Sequence, residues 1–291
     1  MTLEEIVNIY KNSSLNIINI NNKLYLKKGF VLYSFPTLYD YKLEKKDIHL
    51  LKWRSLISII KINSKIKNTY EYILDTDDYN LETFSSKTRN QIRKSLKECN
   101  FKRPSFNDMI EYAFNINILT LQRHSRNEKF LTNKKLWKNY IVSLYNNPNV
   151  IILGAYINEF MVGYIICYKF FDKYTILHPF IDKKYSSSAP MNGLIYKLVN
   201  QILENEGAAK ISYGLESFKN IPSLNKFKKS MRFVPVSSIM VYIINPLIYI
   251  FLKLIIIFYI IIFNKSPKYN DNFNFLIKIY QGSRILKKLY L

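Results

Sequence analysis

Three side chains in this sequence have chemistry suited to moving protons: Glu216, His178 and Tyr213. Glu216 ends a strand-like stretch, where a carboxylate can serve as a general base. The plainer reading is a helix cap or an ion pair. His178 sits in a strand-like run beside Pro179, as a base or as a packed interior histidine. Tyr213 could donate to a developing oxyanion or act as an acid. A second set suits anions. Arg123 and His124 share a loop between two helical stretches. Lys226 and Lys228 flank Phe227 on a short helical stretch. Lys87, Arg89 and Arg93 lie with Lys94 and Lys97 on a helix whose apolar stripe is only Ile92 and Leu96. Such a helix is either a solvated face or a surface for RNA or phosphate. No Ser-His-Asp order, metal-ligand spacing or Walker-type loop is present, and no metal is expected.

These residues need elements to place them. Lys23 to Leu43 reads as strands interrupted by Pro36, and Glu71 to Leu74 as a short strand. Trp53 to Ile62 is apolar and fits strand or helix. Ser85 or Ser86 can cap the basic helix. Ser105 starts a helix with Met109, Tyr112, Ala113, Ile116 and Leu119 on one face, and another follows Asn133. Val150 to Tyr156 and Phe160 to Phe171 read as an antiparallel hairpin turning at Ile157-Asn158-Glu159. Lys173 to Ile181 is a further strand. Met191 to Asn205 is a helix closed by Gly207, and Ala209 to Leu215 is a strand. That strand, helix and strand predict a parallel, right-handed crossover. Ser223 caps a short helix, and Phe233 to Val236 is a last strand.

Composition sets the surroundings. Lys plus Arg is 43 against 21 Asp plus Glu, a net charge of +22. The excess favours anionic partners such as nucleic acid, lipid head groups or phosphate-bearing cofactors. Heavy use of Lys, Asn, Ile and Tyr also fits an AT-rich coding sequence. Cys99 and Cys167 make no disulfide framework or zinc knuckle, so a reducing compartment is the simpler expectation. Cys167 falls within a strand and is expected to be buried and inert. The N-terminal MTLEEIVNIYKNSS has early acidic residues and no signal-like apolar core. Ile239 to Phe263, IMVYIINPLIYIFLKLIIIFYIIIF, has the length of a bilayer span, broken only by Asn245-Pro246 and Lys253. It is expected to span the membrane or lie in its surface. The basic tail 264–291 beside it marks the cytoplasmic side.

The order hairpin, strand, helix, strand, short helix, strand resembles the C-terminal part of the GNAT superfamily of N-acyltransferases. VIILGAYINEFMVGY (150–164) is similar to the hairpin in which a turn precedes Val-Gly. PMNGLIY (190–196), with Asn192, resembles the start of the central helix. ISYGLES (211–217) resembles the following strand with its glycine. LNKFKKSMRFVPV (224–236) is similar to the ending of the Fem-like branch, which contains peptidoglycan aminoacyltransferases. Arg232 stands where that branch usually has glycine. The basic helix from Ser86 to Lys97 is also similar to a feature of that branch.

The resemblance implies an α/β fold: a mixed twisted sheet flanked by helices, with a C-terminal hydrophobic segment. It spans roughly Phe84 to Val236 and implies four regions. These are an N-terminal α/β region (1–83) that could be part of a second GNAT-like half, the acyltransferase domain (84–237), the hydrophobic segment (238–263) and the tail. It implies transfer of an acetyl or aminoacyl group from a CoA thioester or an aminoacyl-tRNA to an amine on an envelope precursor, sugar or lipid. The place would be the cytoplasmic face of the membrane. Glu216, His178 and Tyr213 would then be catalytic, and Arg123, His124, Asn192, Lys226 and Lys228 would bind substrate. Lys87, Arg89 and Arg93 would bind anions, tRNA among them. In the Fem-like pattern Lys228 serves the fold, although it could face phosphate. The turn KKYSSSAP (183–190) lacks the glycine pair with which acetyl-CoA-binding members hold pyrophosphate. The alternative to an enzyme is a non-catalytic RNA- or anionic-lipid-binding protein on the same scaffold.

Overall fold

A computed structural model describes residues 1–11, 13–62, 66–217, 221–263 and 271–290. The chain packs as two units. One combines Met1–Leu15, Tyr72–Gly214 and Pro222–Pro235; the other combines Asn16–Glu71, Leu215–Ile221 and Val236–Leu291.

The first unit is a mixed sheet with helices on it. Its hairpin joins Val150–Ile157 to Phe160–Phe170 in antiparallel register. Asn158 and Glu159 both have positive φ, 48° and 66°, as a two-residue turn that follows strand twist requires. Strand Lys173–Ile176 continues the antiparallel sheet. The expected run from Lys173 to Ile181 is not one strand. After the Leu177 N–H donates to the Ile166 carbonyl at 2.8 Å it leaves the sheet at His178-Pro179, where proline has no N–H to give a ladder, and Phe180–Ile181 returns to pair with Gly163 and Tyr164. The central helix Pro190–Glu206 ends at Gly207, whose φ is 72°. Strand Ala209–Leu215 then lies parallel to Lys173–Ile176, with Ile211 opposite Tyr174.

One hydrophobic cluster holds this arrangement. Leu194, Ile195, Leu198, Val199 and Ile202 form the inner stripe of the central helix and pack with Ile165, Cys167, Ile176 and Ile211. Each fully buried side chain of this size contributes roughly 1.5–3 kcal/mol. The basic helix Ser86–Glu98 joins the cluster through Ile92, and the Ser85 hydroxyl caps it by accepting the Thr88 N–H. It crosses the central helix at Gly193, where a Cβ would lie 2.2 Å from Phe101 and 2.4 Å from Ser95 Oγ. Helices Phe114–Arg123 and Lys134–Tyr145 form a separate aromatic layer. There the Trp137 indole donates to the Met109 carbonyl at 2.6 Å, and the Tyr164 hydroxyl donates to Asn117 Oδ1.

The second unit carries strands Asn16–Ile20, Lys23–Lys28, Val31–Ser34 and Ile57–Ile62. The last two are parallel and are joined by helix Lys45–Arg54. Buried ions are compensated in place. Lys61 Nζ lies 2.9 Å from Asp40 and 3.0 Å from Glu71. Asp47 lies 2.9 Å from Lys23. Burial pushes the Asp47 carboxyl up, but bonds from Asn21, Lys23 and the Glu44 N–H outweigh that and hold it below the ordinary carboxylate range.

The apolar run Ile239–Phe263 differs from expectation. Ile239–Ile244 belongs to strand Val234–Ile244, antiparallel to Ile57–Ile62 with Ile239 opposite Ile62. Only Pro246–Phe263 is helical. The Asn245-Pro246 pair is the reason. Asn245 Oδ1 accepts the Leu247 N–H at 3.0 Å, and proline is tolerated at the first helical position because its missing N–H would be unpaired anyway. Among the described residues, no helix is long and apolar enough to cross a membrane. Of the expected basic tail, 264–270 and 291 lie outside the described residues, and Asp271–Tyr290 is a helix that buries Ile279 and Leu286.

Candidate functional site

The parallel strands Lys173–Ile176 and Ala209–Leu215 part beyond Ile176, because the first chain turns away through His178-Pro179. Past that point the second strand presents Tyr213, then Gly214 with φ 87°. Helix Pro222–Ser230 places Lys228 against Tyr213 and against Tyr72 of strand Thr69–Thr76. Lys228 is 2% exposed, and its Nζ lies 4.5 Å from the centre of the Tyr72 ring and 5.1 Å from that of Tyr213. A cation held against two aromatic faces is stabilised by their quadrupoles where water is scarce. Phe233 packs edge-on to Tyr213 at 5.3 Å, and Phe227 at 6.3 Å. Burial pushes the Tyr213 phenol well up, so it stays a neutral donor. The arrangement therefore sets a buried ammonium beside a protonated hydroxyl of strand Ala209–Leu215.

The other predicted residues are spread more widely. Asn192 is buried at the start of the central helix, its amide 3.4 Å from Met231 Sδ. Lys226 is exposed on the same helix as Lys228. His178 is packed among Phe130, Tyr140 and Phe180, with Nε2 3.1 Å from the Tyr140 hydroxyl. Burial pulls its pKa down to about 4, so it is neutral near pH 7. Its partners come from the aromatic layer and are not those of Tyr213. Arg123 and His124 are exposed at the end of helix Phe114–Arg123. Partial burial and the charges of Arg123 and Arg126 lower the His124 pKa. Glu216 belongs to the second unit, where it lines a cleft of about 470 Å³ with Tyr33, Asn68, Thr69 and Gln281. Lys87 is exposed, but Arg89 bonds to Glu82 at 2.8 Å and Arg93 approaches it at 3.6 Å. Both arginines are partly neutralised within the helix's own surroundings. Burial raises the Cys167 thiol pKa, in line with an inert interior cysteine. Sequence reasoning missed Tyr72. Nothing local links it to Lys228, which arrives from a distant segment.

Solved structures share this architecture. FemX aligns with a TM-score of 0.57 at 11% identity, over 85% of this chain and 92% of that one. The chain shares the fold of FemX. The C-terminal domain of a protein from Agrobacterium fabrum, described as a lysylphosphatidylglycerol synthetase, aligns with a TM-score of 0.54 at 9% identity, over 88% of this chain and 91% of that one. A conserved protein of unknown function from Bacteroides thetaiotaomicron aligns at 0.51 and 11% identity, over 82% and 88% of the two chains. No family model matches the sequence, and no curated protein matches it.

The start of the central helix departs from a pyrophosphate cradle. Such a cradle needs free backbone N–H groups at the N-terminus of the central helix. Here the first position is Pro190, which has none, and the Asn192 N–H donates to the Ala189 carbonyl at 3.0 Å. Residues 183–188 form a 3-10 turn, with no glycine to bring backbone close to phosphate. These residues do not fit the CoA pyrophosphate. Among the described residues, no group of three or more His, Cys, Asp or Glu side chains could hold a metal ion.

Proposed function

We propose that this protein is an N-acyltransferase that moves an aminoacyl group from aminoacyl-tRNA to an amine on an envelope precursor, sugar or lipid at the cytoplasmic face of the membrane. The observation that carries the reading is Lys228, a cation buried against Tyr72 and Tyr213 in a Fem-like, GNAT-related fold. The closed start of the central helix supports an ester donor over a CoA thioester. The exposed apolar side of helix Pro246–Phe263 and the +22 net charge support the membrane location.

In the reaction the amine attacks the ester carbonyl carbon, a C–N bond forms and the C–O bond to the ribose breaks. The amine's proton ends on the departing ribose oxygen. Negative charge gathers on the carbonyl oxygen in between. The Lys228 ammonium, with the Tyr213 hydroxyl beside it, is suited to bind that charge at low local dielectric. Arg123, His124, Asn192 and Lys226, all of the first unit, remain the proposed substrate contacts. The alternative, a non-catalytic RNA- or anionic-lipid-binding protein on the same fold, predicts binding without transfer.

The test uses the full chain with radiolabelled aminoacyl-tRNA and a panel of amines, with acyl-CoA as the comparison donor. Transfer from aminoacyl-tRNA is expected, and Lys228→Met should lower it about 10²–10³-fold without loss of folded protein. Lack of transfer from either donor, or a fully active Lys228→Met variant, would overturn the reading.

A further inference from the structure

A basic-edged apolar cleft in the second unit takes no part in the transfer chemistry. Its volume is about 450 Å³, in the range of small-molecule sites. Lys45, His49 and Lys52 line it from one face of helix Lys45–Arg54, at spacing i, i+4, i+7. Lys45 is exposed and Lys52 is half-buried, so two ammonium groups stand where the cleft meets solvent, with the exposed His49 ring between them on the helix. Ile48, Ile244, Tyr249 and Leu286 supply apolar walls. Among the described residues, no carboxylate lines it.

The cleft continues onto a surface that the described residues leave exposed. Ile250 lines it and also belongs to the outer face of helix Pro246–Phe263. On that face Leu247, Phe251, Leu254 and Phe258 are each more than half exposed. A contiguous apolar patch of this kind marks an interaction surface. Its occupant must match both an apolar interior and a positive edge. A lipid with an acyl chain and an anionic head group does so. A second copy of this chain would bring another positive edge and a further +22 charge to the contact.

We infer that the cleft binds an acyl chain of an anionic membrane lipid, with the lipid phosphate held by Lys45, His49 and Lys52. The inference rests on the membrane location proposed above and is independent of the transfer step. The test uses the full chain in two arms. Native mass spectrometry from detergent with phosphatidic acid reads the bound lipid. Co-sedimentation with phosphatidylcholine vesicles, with and without phosphatidic acid, reads the membrane preference.

One retained lipid per chain is expected, with a preference of at least about 10-fold for the anionic vesicles. The double variant Lys45→Glu, Lys52→Glu should lose both, while aminoacyl transfer to a soluble amine is unchanged. Ile250→Asp should weaken vesicle binding while the chain stays folded. Equal partition to the two vesicles overturns the inference. So does a lipid adduct retained by the double variant, or a lipid-free dimer that Ile250→Asp dissociates. Lipid binding without any transfer supports the cleft and overturns only the transferase reading.

Discussion

Arg232 offers a stability test whose size follows from the coordinates. Its φ is 66°, in the left-handed region, which costs a residue with a side chain about 1–2 kcal/mol. The guanidinium offsets this. Nη1 donates to the Asp78 carbonyl and to Thr83 Oγ1, both at 2.9 Å, and the group lies 5.7 Å from the centre of the Tyr79 ring. At a solvent-facing site these contacts are worth about 2–3 kcal/mol together. Arg232→Ala removes them and keeps the strain, so it should destabilise by about 2–3 kcal/mol. Arg232→Gly removes the same contacts but relieves the strain, at some loss from its freer unfolded chain. Glycine should therefore be the more stable of the two by about 1 kcal/mol. Urea unfolding of both variants beside wild type measures the difference. An alanine variant as stable as the glycine variant would refute the strain argument. A loss above about 5 kcal/mol in both would mean that the side chain holds more than these three contacts.

Other outcomes follow from single sites. Gly193→Ala should destabilise by about 2–3 kcal/mol, since its Cβ would meet Phe101 and Ser95 at 2.2 and 2.4 Å; thermal melts would read it, and an unchanged midpoint would count against the close helix crossing. His178 titrates near 6.5 when unfolded and about 4 when folded. The unfolded chain binds more protons between those values, so stability should fall as pH drops from about 6.5 to 4, by up to about 3 kcal/mol. His178→Phe should flatten that slope. Cys99 and Cys167 are buried with thiol pKa values raised chiefly by burial; a thiol reagent near neutral pH should label them only on unfolding, and rapid native labelling would contradict their placement.

Much of the first unit was legible because its signals are local. The turn at Asn158-Glu159, the stripe from Leu194 to Ile202, the stop at Gly207 and the cap at Ser85 each depend on residues a few positions apart. Helix Lys45–Arg54 was not legible, since its buried positions include Asp47, whose carboxylate is paid for by Asn21 and Lys23 from the turn and second strand of a distant hairpin. The apolar run was misread for a related reason. Hydropathy alone cannot distinguish a buried strand from a helix, and Ile239–Ile244 became a strand because Ile57–Ile62 lies alongside it. In the candidate site, Lys228 and Tyr213 were visible as chemistry, while Tyr72 and the solvent exclusion around the ammonium were not.

By itself the sequence determined the order of elements in the first unit and the chemical types at its candidate site. Hydrophobic periodicity, caps and turns act over one to a few residues, and that range is written in the chain. Tertiary structure decided what depends on distant segments meeting. It joined Asn16–Glu71 to Val236–Leu291 in one unit and set His178 among aromatic rings. It also enclosed Lys228 between Tyr72 and Tyr213. A lysine in water is a solvated surface charge, whereas the same lysine with two rings against it and almost no water is a fixed field. Only the packing of segments far apart in sequence creates that difference.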